Sequence, residues 1–225
     1  SVYIPKVLEI PVNPEQFHKK IVLLFPGSFD PPHFGHEAML RAAQKGILFV
    51  NSETNSKKHP DEIILAPCFN LQKQDLSNFP SRMSMVNKML ELGSFSQERE
   101  VPVFSSNYEE IIRKNYQAED YQPGTALSVF QYFERMDVEA FMFLGSDYAE
   151  KWFHWESDAE KQQYLSQHLI IGTNFDDSNT FGANKLLWKF CDPTMPERLA
   201  SNPSSGFSSS RIREYFLHKE GDIHS

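Results

Sequence analysis

The stretch IVLLFPGSFDPPHFGHEAMLRAAQK, residues 21–45, decides the fold class. Its first five residues form a continuous apolar run, which is typical of a strand buried on both faces of a parallel sheet. From Gly35 onward, apolar residues such as Met39, Leu40 and Ala43 recur at helical spacing. The stretch therefore predicts a buried strand, then a loop rich in proline and glycine, then a helix that begins near Gly35.

The same alternation of strands and helices continues along the chain. Apolar runs predict further strands at residues 62–67, 101–104, 140–145, 168–172 and 185–190. Helical patterns predict helices at residues 80–93, 125–136, 158–167 and 208–219. This order predicts an α/β fold, a Rossmann-like doubly wound parallel sheet of five to six strands with helices on both faces. We expect an N-terminal extension at residues 1–20, a single domain at residues 21–225, and a surface loop at residues 51–61.

Composition excludes several classes of function. The formal net charge of −8 argues against a general nucleic-acid binder, which usually carries a basic excess. No apolar run approaches the ~18 residues that span a bilayer, and residues 1–20 lack the apolar centre of a signal peptide. Cys68 and Cys191 lie far apart and are interpreted as isolated thiols in a reducing compartment. We expect a cytoplasmic protein that binds neither nucleic acid nor membrane, and a homo-oligomer is compatible with the sequence.

The loop after the first predicted strand is expected to bind an anion. Ligands of doubly wound sheets bind beyond the carboxyl ends of the strands, where this loop lies. Gly27 would let the main chain approach a ligand, and Pro31 and Pro32 would stiffen the loop. His33 and His36 stand at a helix N-terminus, which favours anions, and both can donate hydrogen bonds to phosphate oxygens. The alternatives are capping or solvated histidines, or a metal site that lacks a third ligand nearby.

A second stretch, SSSRIREYF at residues 208–216, resembles a phosphate site in its chemistry. The three serines are good N-cap residues for a final helix, and Arg211 and Arg213 fall in its first turn. Cations there oppose the helix dipole unless an anion offsets them. Hydroxyls, free N–H groups and guanidiniums in one turn therefore predict a second phosphate grip, against the alternative of a flexible serine-rich linker.

Taken together, GSFDPPHFGH and SSSRIR resemble the motifs of the HxGH nucleotidylyltransferase superfamily. Within that superfamily the chain looks like the nicotinamide/nicotinate mononucleotide adenylyltransferases, over roughly residues 21–219. The resemblance implies an enzyme of NAD biosynthesis whose small-molecule substrates are ATP and a pyridine mononucleotide. It also implies Mg²⁺ that accompanies ATP, with no metal ligand from the protein.

The resemblance also implies roles for individual residues. It assigns catalysis to His36, His33 and Arg213. It assigns ATP contacts to Gly27, Ser28, Phe29, His33, His36, Gly145, Asp147, Ser208, Ser209, Ser210 and Arg213. It assigns mononucleotide contacts to Ser28, Phe29, Lys73, Thr125 and Trp155, with Trp155 as the stacking platform for the pyridine ring. Asp30 is expected to shape the loop and Arg82 to support it. The alternatives are a core role for Trp155, an N-cap role for Thr125 and solvated charges for Lys73 and Arg82.

One departure from the family keeps other functions open. The family commonly has an arginine just after the fifth strand, whereas this chain has Asn174 and acidic residues there. A nucleotide-binding paralogue with weak catalysis is therefore one alternative. Another HxGH adenylyltransferase, acting on pantetheine phosphate, is a second, although chain length, Trp155 and the SSSRIR ending speak against it. The sequence does not decide between the amide and the acid mononucleotide.

Overall fold

The structure is a computed structural model, and it describes residues 7–68, 77–95, 100–115, 126–145, 160, 164, 167–173 and 187–189. Within these residues the chain forms nine strands and five helices. In chain order they are β1 (Leu8–Val12), α1 (Pro14–His18), β2 (Lys20–Gly27), α2 (Phe34–Gly46), β3 (Ile47–Asn51), β4 (Lys57–Lys58), β5 (Glu62–Pro67), α3 (Phe79–Leu92), β6 (Val103–Ser105), α4 (Tyr108–Asn115), α5 (Ala126–Arg135), β7 (Val138–Gly145), β8 (Leu169–Thr173) and β9 (Leu187–Lys189).

Six strands form one sheet in the order β6-β5-β2-β7-β8-β9, and each pairing between neighbours is parallel. Numbered by their appearance in this sheet, the strands follow the order 3-2-1-4-5-6 of a doubly wound α/β fold. The predicted fold class is thus confirmed. The winding reverses between β2 and β7, and in such sheets the crevice beyond this reversal is where ligands bind.

The apolar run at the start of β2 supplies both faces of the sheet. Ile21, Leu23 and Phe25 join a core cluster that includes residues of α2 and α3. Val22 and Leu24 join a second cluster, which includes residues of α4 and α5. All five side chains are at most 4% exposed, which explains why the run has no polar alternation. Helices on both faces were predicted, and the two clusters agree with that prediction.

A second, three-stranded sheet has the order β1-β3-β4. In it, β1 pairs in parallel with β3, and β3 pairs antiparallel with β4. Ile10 and Val12 of β1 and Phe49 of β3 belong to the same core cluster as Phe25 of β2. The described part of residues 1–20 is therefore packed on the core of the main sheet.

The prediction of a surface loop at residues 51–61 is wrong in part. Asn51 is buried at the end of β3, and its Oδ1 accepts the main-chain N–H groups of Glu53 and Thr54. This side-chain turn folds the chain back so that β4 pairs with β3. Residues between the two strands are exposed, as predicted.

The strand predicted at residues 62–67 is observed with the same bounds, the other predicted elements that the structure describes are shifted by one or two residues at their ends, and two helices were not predicted. The predicted helix at residues 158–167 lies largely outside the described residues. The third strand of the prediction, residues 101–104, is observed at Val103–Ser105, and α1 and α4 had no counterpart. The predicted final helix lies outside the described residues. Among the helices that the structure describes, none is long and apolar enough to cross a membrane.

Candidate active site

The candidate site lies where β2 and β7 end side by side. Their register pairs Leu24 with Met142, so Gly27 and Gly145, three residues further along each strand, stand at the same level. Both glycines were predicted as ATP contacts, and both lie at the carboxyl edge of the two central strands. The loop of residues 28–33 leaves β2 at this edge and leads into α2.

The two histidines of the motif build the start of α2. His33 is the N-cap residue, and its Nδ1 accepts the main-chain N–H of Gly35 at 3.0 Å. In return, Nδ1 of His36 accepts the main-chain N–H of His33 at 3.1 Å. This is a capping box in which two imidazoles occupy the places usually taken by a hydroxyl and a carboxylate. It fixes both rings at the helix N-terminus, where the helix dipole favours an anion.

These hydrogen bonds assign the protons on the two rings. An Nδ1 that accepts an N–H carries no proton, so each neutral ring holds its proton on Nε2. Burial lowers the pKa of His33 to about 4. Burial, together with the nearby His33, lowers the pKa of His36 well below 6.5. Both histidines are therefore neutral at physiological pH, and each carries its N–H donor at Nε2.

The rings of the two histidines stack, with centroids 3.8 Å apart and planes 28° apart. Such a pair disfavours two positive charges, which agrees with the direction of both pKa shifts. A phosphate that bound at Nε2 would supply the opposite charge and raise both pKa values. The pair is therefore a neutral donor site that gains proton affinity when an anion arrives.

Aromatic side chains surround His36. The ring centroid of Phe29 lies 4.6 Å from that of His36, and the centroid of Phe25 lies 6.0 Å from it. Phe25 also packs on Phe143 of β7, at 5.8 Å. These apolar contacts keep water from the His36 ring, which is the physical cause of its lowered pKa. No pattern in the sequence singles out Phe143, because a strand phenylalanine is an ordinary core residue.

Gly27 has a role that the sequence did not indicate. A Cβ at this position would lie 3.0 Å from Cζ of Phe29, whose side chain is only 1% exposed. Gly27 therefore leaves room for the Phe29 ring, besides any approach to a ligand. Phe29 itself has a φ of 49°, in the left-handed region that a bulky residue rarely adopts. Its ring is therefore a core side chain that packs against His36.

Asp30, within the loop, and Arg82, in α3, are both buried. Oδ2 of Asp30 accepts the main-chain N–H of Ser77 at 2.8 Å, which agrees with its expected role in shaping the loop. Arg82 donates to the carbonyl oxygens of Ser28, Cys68 and Ser77. Arg82 is 3% exposed, so the alternative of a solvated surface charge is wrong for this residue.

The structure thus brings together six of the predicted site residues, namely Gly27, Ser28, Phe29, His33, His36 and Gly145. The other predicted site residues lie outside the described residues, namely Lys73, Thr125, Asp147, Trp155, Ser208, Ser209, Ser210 and Arg213. Asn174, the departure from the family pattern, also lies outside them. In the described part of the chain, no group of three or more histidine, cysteine or acidic side chains could hold a metal ion.

Comparisons with solved structures agree with this fold. A Plasmodium falciparum nicotinic acid mononucleotide adenylyltransferase complexed with NaAD aligns with a TM-score of 0.55 and 18% identity, covering 87% of this chain and 83% of that one. The same enzyme complexed with APC aligns with a TM-score of 0.54 and 18% identity, covering 88% and 83%. At this identity the likeness shows the fold.

Comparisons of sequence add to the likeness in fold. A protein of Sulfurimonas denitrificans described as "Probable nicotinate-nucleotide adenylyltransferase" is 31% identical over 155 residues, which cover 69% of this chain and 71% of that protein. The Cytidylyltransferase-like family model matches residues 24–215, a span that contains both the histidine loop and the SSSRIR segment. The resemblance stated from the motifs is confirmed, and the chain belongs to the cytidylyltransferase-like family.

Proposed function

We propose that this chain is an adenylyltransferase of NAD biosynthesis that joins a pyridine mononucleotide to ATP and releases pyrophosphate. One observation carries the proposal: two stacked neutral imidazoles, with their protons on Nε2, stand at the N-terminus of α2 beside the reversal point of the sheet. Such a donor pair suits the phosphates of a nucleotide, which already carry the negative charge. The relatives reported above, which bear the name of this activity, support the same reading.

The triphosphate of ATP lies across the N-terminus of α2 in this proposal. Nε2 of His36 donates to the α-phosphate, where negative charge changes most during the reaction. Nε2 of His33 donates to the β- and γ-phosphates. By resemblance to the family, Ser209, Ser210 and Arg213 hold the triphosphate from the other side. Mg²⁺ enters with ATP as part of the substrate, bound by phosphate oxygens and water.

The reaction is an in-line displacement at the α-phosphorus. An oxygen of the mononucleotide phosphate attacks, the bond from the α-phosphorus to the bridging oxygen breaks, and its electron pair leaves with pyrophosphate. The attacking phosphate is already ionised near neutral pH, so no general base is needed. Catalysis therefore comes from positioning and from stabilising charge on the α-phosphate. Neutral Nε2–H donors in a partly buried site suit that task, because they are in place before charge develops.

The mononucleotide is proposed to bind on the other side of the α-phosphate. By resemblance, Trp155 stacks on its pyridine ring, and Lys73 and Thr125 contact the rest of the molecule. Nicotinate mononucleotide is proposed as the better substrate, because the relatives are named for that acid.

Pyrophosphate release tests the proposal. The protein is given ATP and Mg²⁺ with nicotinate mononucleotide, nicotinamide mononucleotide or phosphopantetheine in parallel. We expect turnover with both pyridine mononucleotides and a higher kcat/KM for nicotinate mononucleotide. Turnover with phosphopantetheine alone would overturn the proposed substrate. A folded protein that binds ATP but turns over none of the three would be a nucleotide-binding paralogue.

A further inference from the structure

Arg82, in the first turn of α3, holds three separate segments of main chain with one guanidinium. Nη1 donates to the carbonyl oxygens of Ser28 at 3.0 Å and of Cys68 at 2.7 Å, and Nε donates to that of Ser77 at 3.0 Å. Ser28 lies in the loop after β2, Cys68 just beyond β5, and Ser77 just before α3. A planar fork of donors can satisfy such a set, whereas a lysine ammonium has a different geometry and reach.

Asp30 completes the arrangement from the loop side. Its Oδ2 accepts the main-chain N–H of Ser77 at 2.8 Å, so Ser77 is held through its N–H by Asp30 and through its carbonyl by Arg82. Burial lowers the pKa of Arg82, and the nearby Cys68, Asp30 and Glu109 act in the opposite direction. The carboxylate of Asp30 therefore helps to keep a buried cation charged. We call Arg82 and Asp30, with the main-chain groups that they bind, the Arg82 clasp.

The clasp forms hydrogen bonds to the loop on both sides of Phe29. Ser28 precedes Phe29 and gives its carbonyl to Arg82, and Asp30 follows Phe29 and accepts from Ser77. Phe29 has a φ of 49°, and a bulky residue keeps such a conformation only where its surroundings impose it. Its ring in turn lies 4.6 Å from the ring of His36. The chain of contacts runs from Arg82 through the loop to His36.

We propose that Arg82 and Asp30 are positioning residues that hold Phe29 against His36, and so fix His36 where it meets the α-phosphate. The kinetic part of this inference rests on the proposed function. The structural part, from Arg82 to the environment of His36, does not depend on any substrate. Cys68 and Ser77 also stand on either side of residues 69–76, so the same guanidinium holds both ends of that segment.

Arg41 is a matched control for Arg82. Its Nη2 donates to the carbonyl of Gly93 at 2.6 Å, and its guanidinium lies over the ring of Phe95 at 4.4 Å. It therefore ties α2 to the end of α3, as Arg82 ties the start of α3 to the loop. Gly93 and Phe95, together with Glu37, whose carboxylate lies 3.5 Å from Nη2 of Arg41, are outside the loop of residues 28–33. Arg41→Lys should perturb stability in a similar way while it leaves the clasp intact.

The first experiment follows the imidazole protons of His36 by NMR over a range of pH, without substrate. In the wild type, the His36 signals should stay those of a neutral ring well below pH 6.5. In Arg82→Lys, Phe29 should move and admit water, so the titration midpoint of His36 should rise toward 6.5 by about one pH unit or more. Among the described residues, His33 stacks on the His36 ring and acts on its charge, and Glu37 is its neighbour in the first turn of α2; both are unchanged in Arg82→Lys and in Arg41→Lys. In Arg41→Lys the midpoint should stay low.

The second experiment compares kinetics at a temperature where each variant is folded. Displacing a catalytic group by about 1 Å costs on the order of 10²-fold, so kcat of Arg82→Lys should fall by about 10² while KM for ATP changes little. Arg41→Lys should keep the wild-type kcat. If Arg82→Lys does not fold, Asp30→Asn replaces it, because the amide oxygen can still accept the N–H of Ser77 while the negative charge is lost. We expect Asp30→Asn to change the His36 titration and kcat in the same direction by less.

The two experiments test the proposed function and the positioning role of the clasp separately. If the wild type shows no turnover, the proposed function is wrong. The His36 titration then still tests whether Arg82 and Asp30 position His36. If the folded Arg82 or Asp30 variant keeps both the wild-type titration of His36 and the wild-type kcat, Arg82 is only a structural residue and the inference is overturned.

Discussion

The main-chain N–H of His33 donates to Nδ1 of His36 at 3.1 Å, so the two motif histidines are joined before any ligand binds. The Nδ1 atoms of both rings are used to build the helix N-terminus, and the Nε2 atoms carry the protons. Each side chain of the pair thus has a structural edge, at Nδ1, and a second edge whose Nε2–H is proposed to contact the ligand. Variants that keep one edge and lose the other can separate these roles.

His36→Asn should keep the fold and lose activity. An asparagine oxygen can take the place of Nδ1 and accept the N–H of His33, but the residue has no donor at the position of Nε2. We expect kcat to fall by about 10²–10³, the loss typical of one transition-state donor, in a protein that still folds. His36→Gln is the matched variant, since its amide N–H₂ reaches the position of Nε2, and it should retain more activity than His36→Asn. Near-normal turnover of His36→Asn would contradict the assigned role.

Stability should fall in mild acid because of His33. Its pKa is about 4 in the folded chain and near 6.5 when unfolded, so between these values the unfolded chain binds more protons. The free energy of unfolding is therefore fully retained above pH 6.5 and decreases as the pH falls toward 4, by at most about 1.4 kcal/mol per pH unit for this group. Urea unfolding at several pH values measures this slope.

His33→Asn is the control for that slope. Asparagine is a good N-cap and can accept the N–H of Gly35, but it does not titrate. The slope of unfolding free energy against pH should therefore be smaller in His33→Asn. An unchanged slope would show that His33 is not the group responsible.

Gly27→Ala should disturb the site through Phe29. The new Cβ would lie 3.0 Å from Cζ of a ring that is buried and packed on His36, so the ring must shift. We expect a loss of about 1–3 kcal/mol in the free energy of unfolding, as for other overpacked cores, and a lower kcat. The double variant Gly27→Ala/Phe29→Leu should lose less than the sum of the single losses, because the smaller side chain relieves the contact. Additive losses would contradict the contact.

Glu139→Gln should affect stability and spare activity. Nε2 of His168 lies 3.0 Å from Oε1 of Glu139, and Gln16 of α1 donates to the same oxygen at 2.9 Å. Burial alone would raise the pKa of Glu139, but these hydrogen bonds outweigh it and lower the pKa. Because Glu139 stands at the start of β7 and the site lies at its end, we expect a loss of about 1–3 kcal/mol in unfolding free energy and an unchanged kcat/KM.

The pH dependence provides a check on the Glu139 prediction. A lowered folded pKa means that the stabilisation is present above about 4.5, the ordinary glutamate pKa, and is lost as the pH falls through the folded value. The difference in unfolding free energy between wild type and Glu139→Gln should therefore shrink below that pH. A reduced kcat at neutral pH would show that the contact between Glu139 and His168 affects the active site.

The parallel sheet could be predicted because its central strands are continuous apolar runs. β2 and β5 can each be recognised from their own residues, without knowledge of the strands they pair with. The spacing of Leu40 and Ala43 predicts the helix α2 that follows β2. The small sheet could not be predicted in this way. β3 follows α2 directly, since Gly46 ends the helix and Ile47 begins the strand, and β1 is a short strand with Pro11 within it, so only their tertiary pairing reveals them.

The site could be located from sequence, but its internal chemistry could not. Two prolines, Gly27 and the two histidines beyond a buried strand place a ligand loop at the sheet edge. The tautomers of the histidines depend on hydrogen bonds to the main chain, and the clasp joins Asp30 to Arg82 across 52 residues of chain through the main chain of Ser77. Such contacts arise from tertiary folding and leave no local pattern in the sequence.

Labelled ATP shows which phosphorus of the triphosphate is attacked. The protein is given nicotinate mononucleotide, Mg²⁺ and ATP that carries radioactive phosphorus at either the α- or the γ-phosphate. Attack at the α-phosphorus predicts that the α-label enters the dinucleotide and that the γ-label appears in pyrophosphate, with both rates reduced together in His36→Asn. Release of the γ-label as inorganic phosphate, with no α-label in a dinucleotide, would contradict adenylyl transfer by this protein.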